Sequence, residues 1–256
     1  MRYPLIIGNW KLHGSFNMIK KWFIIFNKEN LNIYNCNVAI AAPTIYLNII
    51  KSYIKNTKID ICAQNVDFNI SGAFTGEVSS YMLKDIGVKY VIIGHSERRK
   101  FHQENNKIII KKFKSIKKAG LIPVLCIGEN IFDYKNNNSN TVCINQVKAI
   151  LDVLGINAFK NTVIAYEPIW TIGTGITANP IKIHSIIQNI RSYLSKYDHI
   201  ISNNIIIQYG GSIDNINCQN FLNYKNIDGF ILGSSSLCAN KFCKIIKSTI
   251  KNFNNF

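Results

Sequence analysis

The sequence predicts an α/β fold, a closed (β/α)8 barrel in a single domain over residues 1–256. Three observations carry that expectation. Short runs rich in β-branched residues alternate with longer amphipathic segments eight times, and strand alternating with helix implies a parallel sheet. Eight such units in 256 residues suit a barrel better than an open sheet. The alternative, a dinucleotide-binding open sheet, would place G-x-G-x-x-G after the first strand, and no such motif is present there.

The strand-like runs fall at 5–10, 37–42, 59–64, 90–93, 121–127, 162–166, 205–209 and 228–232. Between them, helix-like segments are expected at 15–29, 44–56, 79–86, 104–118, 139–154, 178–197, 214–222 and 237–252. Chemistry in such a barrel gathers just after the strands. The first run ends in Asn9-Trp10-Lys11 and the fourth in Gly94-His95-Ser96-Glu97. The fifth ends in Cys126-Ile-Gly-Glu129, the sixth in Glu167, the seventh in Tyr209-Gly-Gly-Ser212 and the eighth in Leu232-Gly-Ser234. Reactive residue types and glycine turns therefore share one rim.

Composition narrows the class. The seven cysteines are scattered, with no C-x-x-C and no Cys/His ligand spacing, so reduced thiols and no metal site are expected. The start shows no signal-peptide pattern, and no apolar run approaches the roughly 18 residues of a spanning helix. Cytoplasmic residence is the expectation. Thirty basic against fourteen acidic residues give +16, which raises nucleic-acid binding. The lysines are spread along helix-like segments without interleaved aromatics, and heavy use of Asn, Ile and Lys points to an AT-rich genome. No nucleic acid and no membrane partner is expected.

The stretch 163–178 concentrates the chemistry. A β-branched strand delivers Glu167, which Pro168 stiffens, and a segment carrying Trp170, Gly173 and Gly175 follows. A base beside a mobile, anion-friendly lid at 168–178 can be desolvated when substrate binds. Gly173, Gly210-Gly211-Ser212 and Gly233-Ser234 follow the last three strands, where barrels hold phosphate. Any one of these is an ordinary turn; three on adjacent strands point to an anion. His95 can hydrogen-bond a carbonyl oxygen as a neutral imidazole. Lys11 emerges at a strand end beside Asn9 and is expected to aim into the mouth, paired with Glu97. His13, His102, His184 and His199 are assigned no role. Two competing classes are a glycosidase, needing two carboxylates about 5–10 Å apart from among Glu97, Glu129 and Glu167, and a non-enzymatic barrel that binds RNA or anionic surfaces through its charge.

Gly8-Asn-Trp-Lys11, Ala63-Gln-Asn65, Ser71-Gly-Ala-Phe-Thr-Gly-Glu77, Ile93-Gly-His-Ser-Glu-Arg-Arg99, Val124-Leu-Cys-Ile-Gly-Glu129, Ala165-Tyr-Glu-Pro-Ile-Trp170, Ile172-Gly-Thr-Gly175 and Tyr209-Gly-Gly-Ser212 occur in this order. Together they resemble the triosephosphate isomerase family, bacterial-type, from the first strand to the last helix. The resemblance implies a TIM barrel interconverting dihydroxyacetone phosphate and D-glyceraldehyde 3-phosphate through an enediolate, in glycolysis and gluconeogenesis, with no cofactor and no metal. That family is itself the reference case of a glutamate base with a neutral histidine electrophile, so these roles come from the resemblance. They fall on Glu167 and His95, with Lys11 and Asn9 binding substrate and stabilising negative charge. Gly173, Ser212, Gly233 and Ser234 match the residues whose N–H groups hold the phosphate. Glu97 and Cys126 match supporting residues, and Trp170 with Glu129 a lid contact. Segment 65–78 matches a loop that projects into a second subunit, with Thr75 near the partner's 9–11 region, which implies a homodimer.

Three departures stand out. Gly233 is followed by Ser234 where the family usually has a second glycine, which predicts altered phosphate affinity. Ile176 stands where the lid's second hinge commonly begins with Lys, which predicts an exposed apolar residue or a changed opening rate. The strongly basic balance is the third.

Overall fold

The computed structural model describes residues 2–55 and 57–253. The ends of the expected 1–256 domain and position 56 of the expected helix 44–56 lie outside them. Eight strands, β1 (Leu5–Asn9), β2 (Asn37–Ala42), β3 (Ile59–Ala63), β4 (Val88–Ile93), β5 (Ile122–Ile127), β6 (Val163–Tyr166), β7 (Ile206–Gly210) and β8 (Gly229–Leu232), close into a barrel in chain order. Every pairing is parallel, including β8 with β1, where Leu5 faces Gly229 and Gly8 faces Leu232.

Around it run α1 (Phe16–Lys28), α2 (Leu47–Ile54), α3 (Ser80–Asp85), α4 (Ser96–Phe101), α5 (Asn106–Lys118), α6 (Ile131–Lys135), α7 (Ser139–Leu154), α8 (Pro180–Ser195), α9 (His199–Asn204), α10 (Cys218–Leu222), α11 (Ser234–Leu237) and α12 (Ala239–Phe253). Boundaries follow capping chemistry. The helix expected from 104 starts at Asn106, because the Asn105 side chain accepts the N–H of Ile108 and sets the cap. The one expected from 178 starts at Pro180, whose missing N–H suits the first helical position. The short helices α4, α6, α9 and α11 were not among the expected segments. At four to six residues each, they are too short to show an apolar period.

Two cores result from strand alternation. Side chains pointing inward fill the barrel: Leu5, Ile7, Ala39, Ala41, Cys62, Tyr90, Ile92, Val124, Cys126, Val163, Ala165 and Ile231. Alanines and cysteines let this inner layer close, and it is packed, not a pore. Side chains pointing outward meet the helices in a larger layer of isoleucines and aromatics, where Trp22 stacks on Phe26 at 5.0 Å and Phe23 on Tyr53 at 5.1 Å. Each fully buried Ile or Phe there contributes about 1.5–3 kcal/mol of transfer free energy. Among the described residues no helix is long and apolar enough to cross a membrane.

Candidate active site

Alternation also decides what reaches the mouth. On β1 the inward set Leu5, Ile7 continues to Asn9 and Lys11, and on β6 the set Val163, Ala165 continues to Glu167. On β4 it would continue from Tyr90 and Ile92 to Gly94. There a left-handed φ of +70° redirects the chain and brings His95 to the mouth instead. A cleft of about 440 Å3 lies at this end, lined by Asn9, Lys11, His95, Glu167, Gly173, Ser212, Gly233 and Ser234 together with His13, Thr177, Asp214, Asn217 and Lys241.

Glu167 is 6% exposed although it carries a carboxylate. Its N–H donates to Ile127 O at 2.8 Å, fixing its backbone to β5. Its Oε2 has no hydrogen-bond partner among the described residues and faces His95 Nε2 at 3.8 Å. Two glycines make room for it. A Cβ at Gly210 would stand 2.6 Å from Glu167 Cγ and 2.8 Å from its Oε1, and one at Gly128 would stand 2.0 Å from its carbonyl oxygen. Gly210 therefore leaves room for the carboxylate at the head of the Gly210-Gly211-Ser212 turn that the sequence singled out. Burial and then the charge of Glu167 push the Cys126 thiol well above its ordinary range, so Cys126 stays a neutral thiol against the carboxylate.

His95 is 4% exposed and caps α4, its Nδ1 accepting the N–H of Glu97 at 3.3 Å. With Nδ1 accepting, the other ring nitrogen, Nε2, is the one that faces the cleft and Glu167. Lys11 has φ +53°, an uncommon backbone for a lysine that costs on the order of 1–3 kcal/mol. Two side chains hold it there: Asn9 Oδ1 accepts its N–H at 3.1 Å, and Gln64 Nε2 donates to its carbonyl at 2.9 Å and to Ala41 O at 2.8 Å. The ammonium then meets Glu97 Oε1 at 2.5 Å.

The lid opens with the short turn Ile169–Thr171, then Gly173 and Gly175 at φ +70° and +77°. Trp170 Nε1 donates to Glu129 Oε1 at 3.0 Å, and Tyr166 OH to the same oxygen at 3.3 Å. Ile169 N–H reaches Glu129 O at 3.0 Å. Glu129 is only 1% exposed and lies behind the lid, outside the cleft lining, and burial raises its carboxyl above its usual range. Ser212 Oγ donates to Thr171 O at 2.7 Å, tying the loop after β7 to the lid. Ile176 is exposed at 54%. Ser234 starts α11 in helical backbone, not in the left-handed region where glycine would be required. Trp22 Nε1 donates to Ser236 O at 2.9 Å and anchors that helix to α1.

Most of the residues singled out in the sequence thus converge. Glu97 and Cys126 touch the cleft residues Lys11 and Glu167, Glu129 and Trp170 pair behind the lid, and Thr75 is exposed on the loop between β3 and α3, away from the cleft lining. Gln64, His13, Asn217 and Lys241 were missed. Gln64 directly follows β3, so the strand-end rule could have flagged it. Lys241 sits on α12, far from any strand end, and nothing in the sequence marks it. The two-carboxylate arrangement of a glycosidase is not formed, since Glu129 lies outside the cleft and Glu97 is spent on Lys11. No cluster of three or more His, Cys, Asp or Glu among the described residues could hold a metal ion.

Fold and cleft define a (β/α)8 barrel with a buried carboxylate and a buried histidine facing each other beside glycine-rich loops at the mouth. The triosephosphate isomerase family model matches residues 4–249. A triosephosphate isomerase of Blochmanniella pennsylvanica is 50% identical over 248 residues, covering 97% of this chain and 96% of the relative. One of Baumannia cicadellinicola is 50% identical over 252 residues, 98% of each chain, and one of Sodalis glossinidius is 47% identical over 248 residues, 97% of each. The chain belongs to the triosephosphate isomerase family.

Proposed function

We infer that this chain interconverts dihydroxyacetone phosphate and D-glyceraldehyde 3-phosphate with Glu167 as the base and His95 as the electrophile. The observation that carries the reading is the Glu167–His95 pair, a buried carboxylate with one unpartnered oxygen 3.8 Å from His95 Nε2, whose Nδ1 accepts the N–H of Glu97. Glu167 removes a proton from C1 of the ketone, and the electron pair moves into a C1–C2 enediolate. His95 Nε2–H donates to the oxygen that takes up the negative charge, and Lys11 adds an ammonium held in place by Asn9, Gln64 and Glu97. The O1 hydroxyl proton passes to O2, and return of the carbon proton from Glu167 to C2 completes the aldehyde at C1. The N–H groups of Gly173, Ser212, Gly233 and Ser234 bind the phosphate, with closure of 168–178 excluding water and so keeping the enediolate from expelling phosphate. The Trp170–Glu129 bond supports the lid base, and Cys126 supports Glu167. Glycolysis and gluconeogenesis use this interconversion.

The chain acts as one barrel domain, without cofactor or metal, as a cytoplasmic homodimer. Support for the dimer comes from the exposed Ile70, Phe74 and Thr75 on the loop between β3 and α3, and from a pocket beside Lys11, Gln64 and Glu97 that such a loop from a second copy would fill. One experiment tests the reading: a coupled isomerase assay on parent and Glu167→Asp, with sedimentation of the same samples. Shortening the base by one methylene displaces the carboxylate by about 1 Å and costs on the order of 100-fold in kcat. A folded parent without turnover would sink the assignment, and a fully active monomer would sink the dimer.

A further inference from the structure

Two polar side chains at the phosphate end of the cleft are left without a role by this mechanism. Ser234 opens α11 and Lys241 lies in the first turn of α12, both exposed and both lining the cleft with Gly233 and Lys11. Of the three serines in α11, Ser235 donates its hydroxyl to Ile213 O and Ser236 donates to Gly233 O at 2.7 Å. The Ser234 hydroxyl and the Lys241 ammonium have no protein partner among the described residues. Asp214 also lines the cleft, but its Oδ1 already accepts the N–H groups of Ile216 and Asn217, each at 2.8 Å.

The charge balance of the cleft gives these two side chains their meaning. The ammonium of Lys11 is 2.5 Å from Glu97, so its field at a distance is largely cancelled by its partner. Among the described residues lining the cleft, Lys241 is a cation with no ion-pair partner, since Asp214 is engaged by backbone N–H groups and not by it. It shares that lining with Gly233 and Ser234, whose N–H groups would hold a phosphate. A dianion approaching from water is therefore drawn to that end first. We propose that Lys241, together with the Ser234 hydroxyl, forms an outer anion-recognition edge that captures the phosphate group of the substrate and adds a side-chain donor beside the backbone N–H groups. The proposal rests on the triose-phosphate reading. It also turns the serine at 234 from a loss of glycine into a gained ligand.

The test is titration of inorganic phosphate by calorimetry, with kcat and KM measured over a salt series, on parent, Lys241→Ala, Ser234→Ala and Lys251→Ala. Lys251 is exposed on the same helix about 15 Å further along its axis, beyond a screening length of roughly 8 Å at physiological salt. Lys241→Ala weakens phosphate binding and raises KM by roughly three- to fivefold, the scale of one exposed ion pair, with kcat unchanged and a shallower salt dependence of kcat/KM. Ser234→Ala weakens phosphate roughly threefold, the size of one net hydrogen bond, without altering the salt slope. Lys251→Ala behaves as parent. Phosphate affinities of Lys241→Ala and Ser234→Ala equal to that of Lys251→Ala would overturn the proposal. Because phosphate binding needs no turnover, a parent that binds phosphate through Lys241 but does not isomerise would fell the functional reading and leave this one standing.

Discussion

Glu167 and Asp228 are two carboxylates at opposite ends of the same barrel, 6% and 7% exposed. Asp228 comes one residue before β8 and Glu167 one residue after β6. Asp228 is saturated: Oδ1 accepts Arg2 Nε at 3.0 Å, and Oδ2 accepts Arg191 Nη2 and the N–H of Ile207, both at 2.8 Å. Glu167 has an oxygen with no partner and a histidine just beyond hydrogen-bond reach. Equal burial thus has opposite consequences. Where the charge is answered by two guanidinium groups and a backbone N–H, the carboxylate holds the ends of β7, β8 and α8 together. Where one oxygen is left without a partner, the carboxylate is free to meet a ligand in the cleft, as the proposed mechanism requires. The base of the barrel is built for stability and the mouth for chemistry.

The sharpest way to break that contrast is to neutralise each carboxylate in turn. Glu167→Gln should lose about 10²–10⁴ in kcat, the range of a general base, while its Tm stays at or above the parent's because a poorly satisfied buried charge is gone. Asp228→Asn should do the reverse. Two arginines lose their counter-charge, at a cost of about 3 kcal/mol in unfolding free energy, and the folded fraction keeps its kcat. Denaturant unfolding and a coupled assay on both variants decide it. Equal losses of stability would show that the two carboxylates are the same kind of group.

A smaller perturbation asks how tightly the mouth fixes its base. In Gly210→Ala the new Cβ would lie 2.6 Å from Glu167 Cγ and 2.6 Å from Ile231 Cγ2, so the carboxylate side chain must move. A shift of about 1 Å predicts a loss near 100-fold in kcat, with less change in KM because the clash falls on Glu167 and Ile231 and not on the N–H of Ser212. Parental kcat in this variant would mean that the position of Glu167 is set elsewhere.

The barrel was legible in the sequence because each strand and most helices follow a local period, and all eight expected strands appear with ends shifted by at most two residues. The strand-end rule likewise found Asn9, Lys11 and Glu167, since alternation along a strand is enough to aim the next side chain inward; His95 also follows a strand end, but the left-handed turn at Gly94 brings it to the mouth. The rest depended on contacts between distant segments. The clamp of Gln64 on the Lys11 carbonyl joins residues 53 apart in the chain, and the reason for glycine at 210 is a side chain 43 positions earlier. Lys241 reaches the cleft only because α11 sits at the mouth and hands the chain directly to the first turn of α12, whose remainder packs against α1. No period or motif encodes such meetings.

Glu129 is an intermediate case and yields the smallest expected effect. It is buried like Asp228 but answered by neutral donors, the indole of Trp170, the hydroxyls of Tyr166 and Ser139 and the thiol of Cys143. Burial outweighs those bonds and raises its carboxyl above the ordinary value. The sign follows directly. A folded-state value above the unfolded one means that folding favours the protonated form. The stability from this group is therefore full below the unfolded value and is lost as pH rises through the raised folded value. Glu129→Gln removes that loss while keeping an oxygen for the Trp170 N–H. Its Tm should equal or exceed the parent's near neutral pH, and the parent should close the gap as pH falls toward the acid range. Thermal unfolding of both proteins across that interval measures the difference directly. A gap that widens on acidification would mean that the donors around Glu129 outweigh its burial and hold it as a stabilising carboxylate.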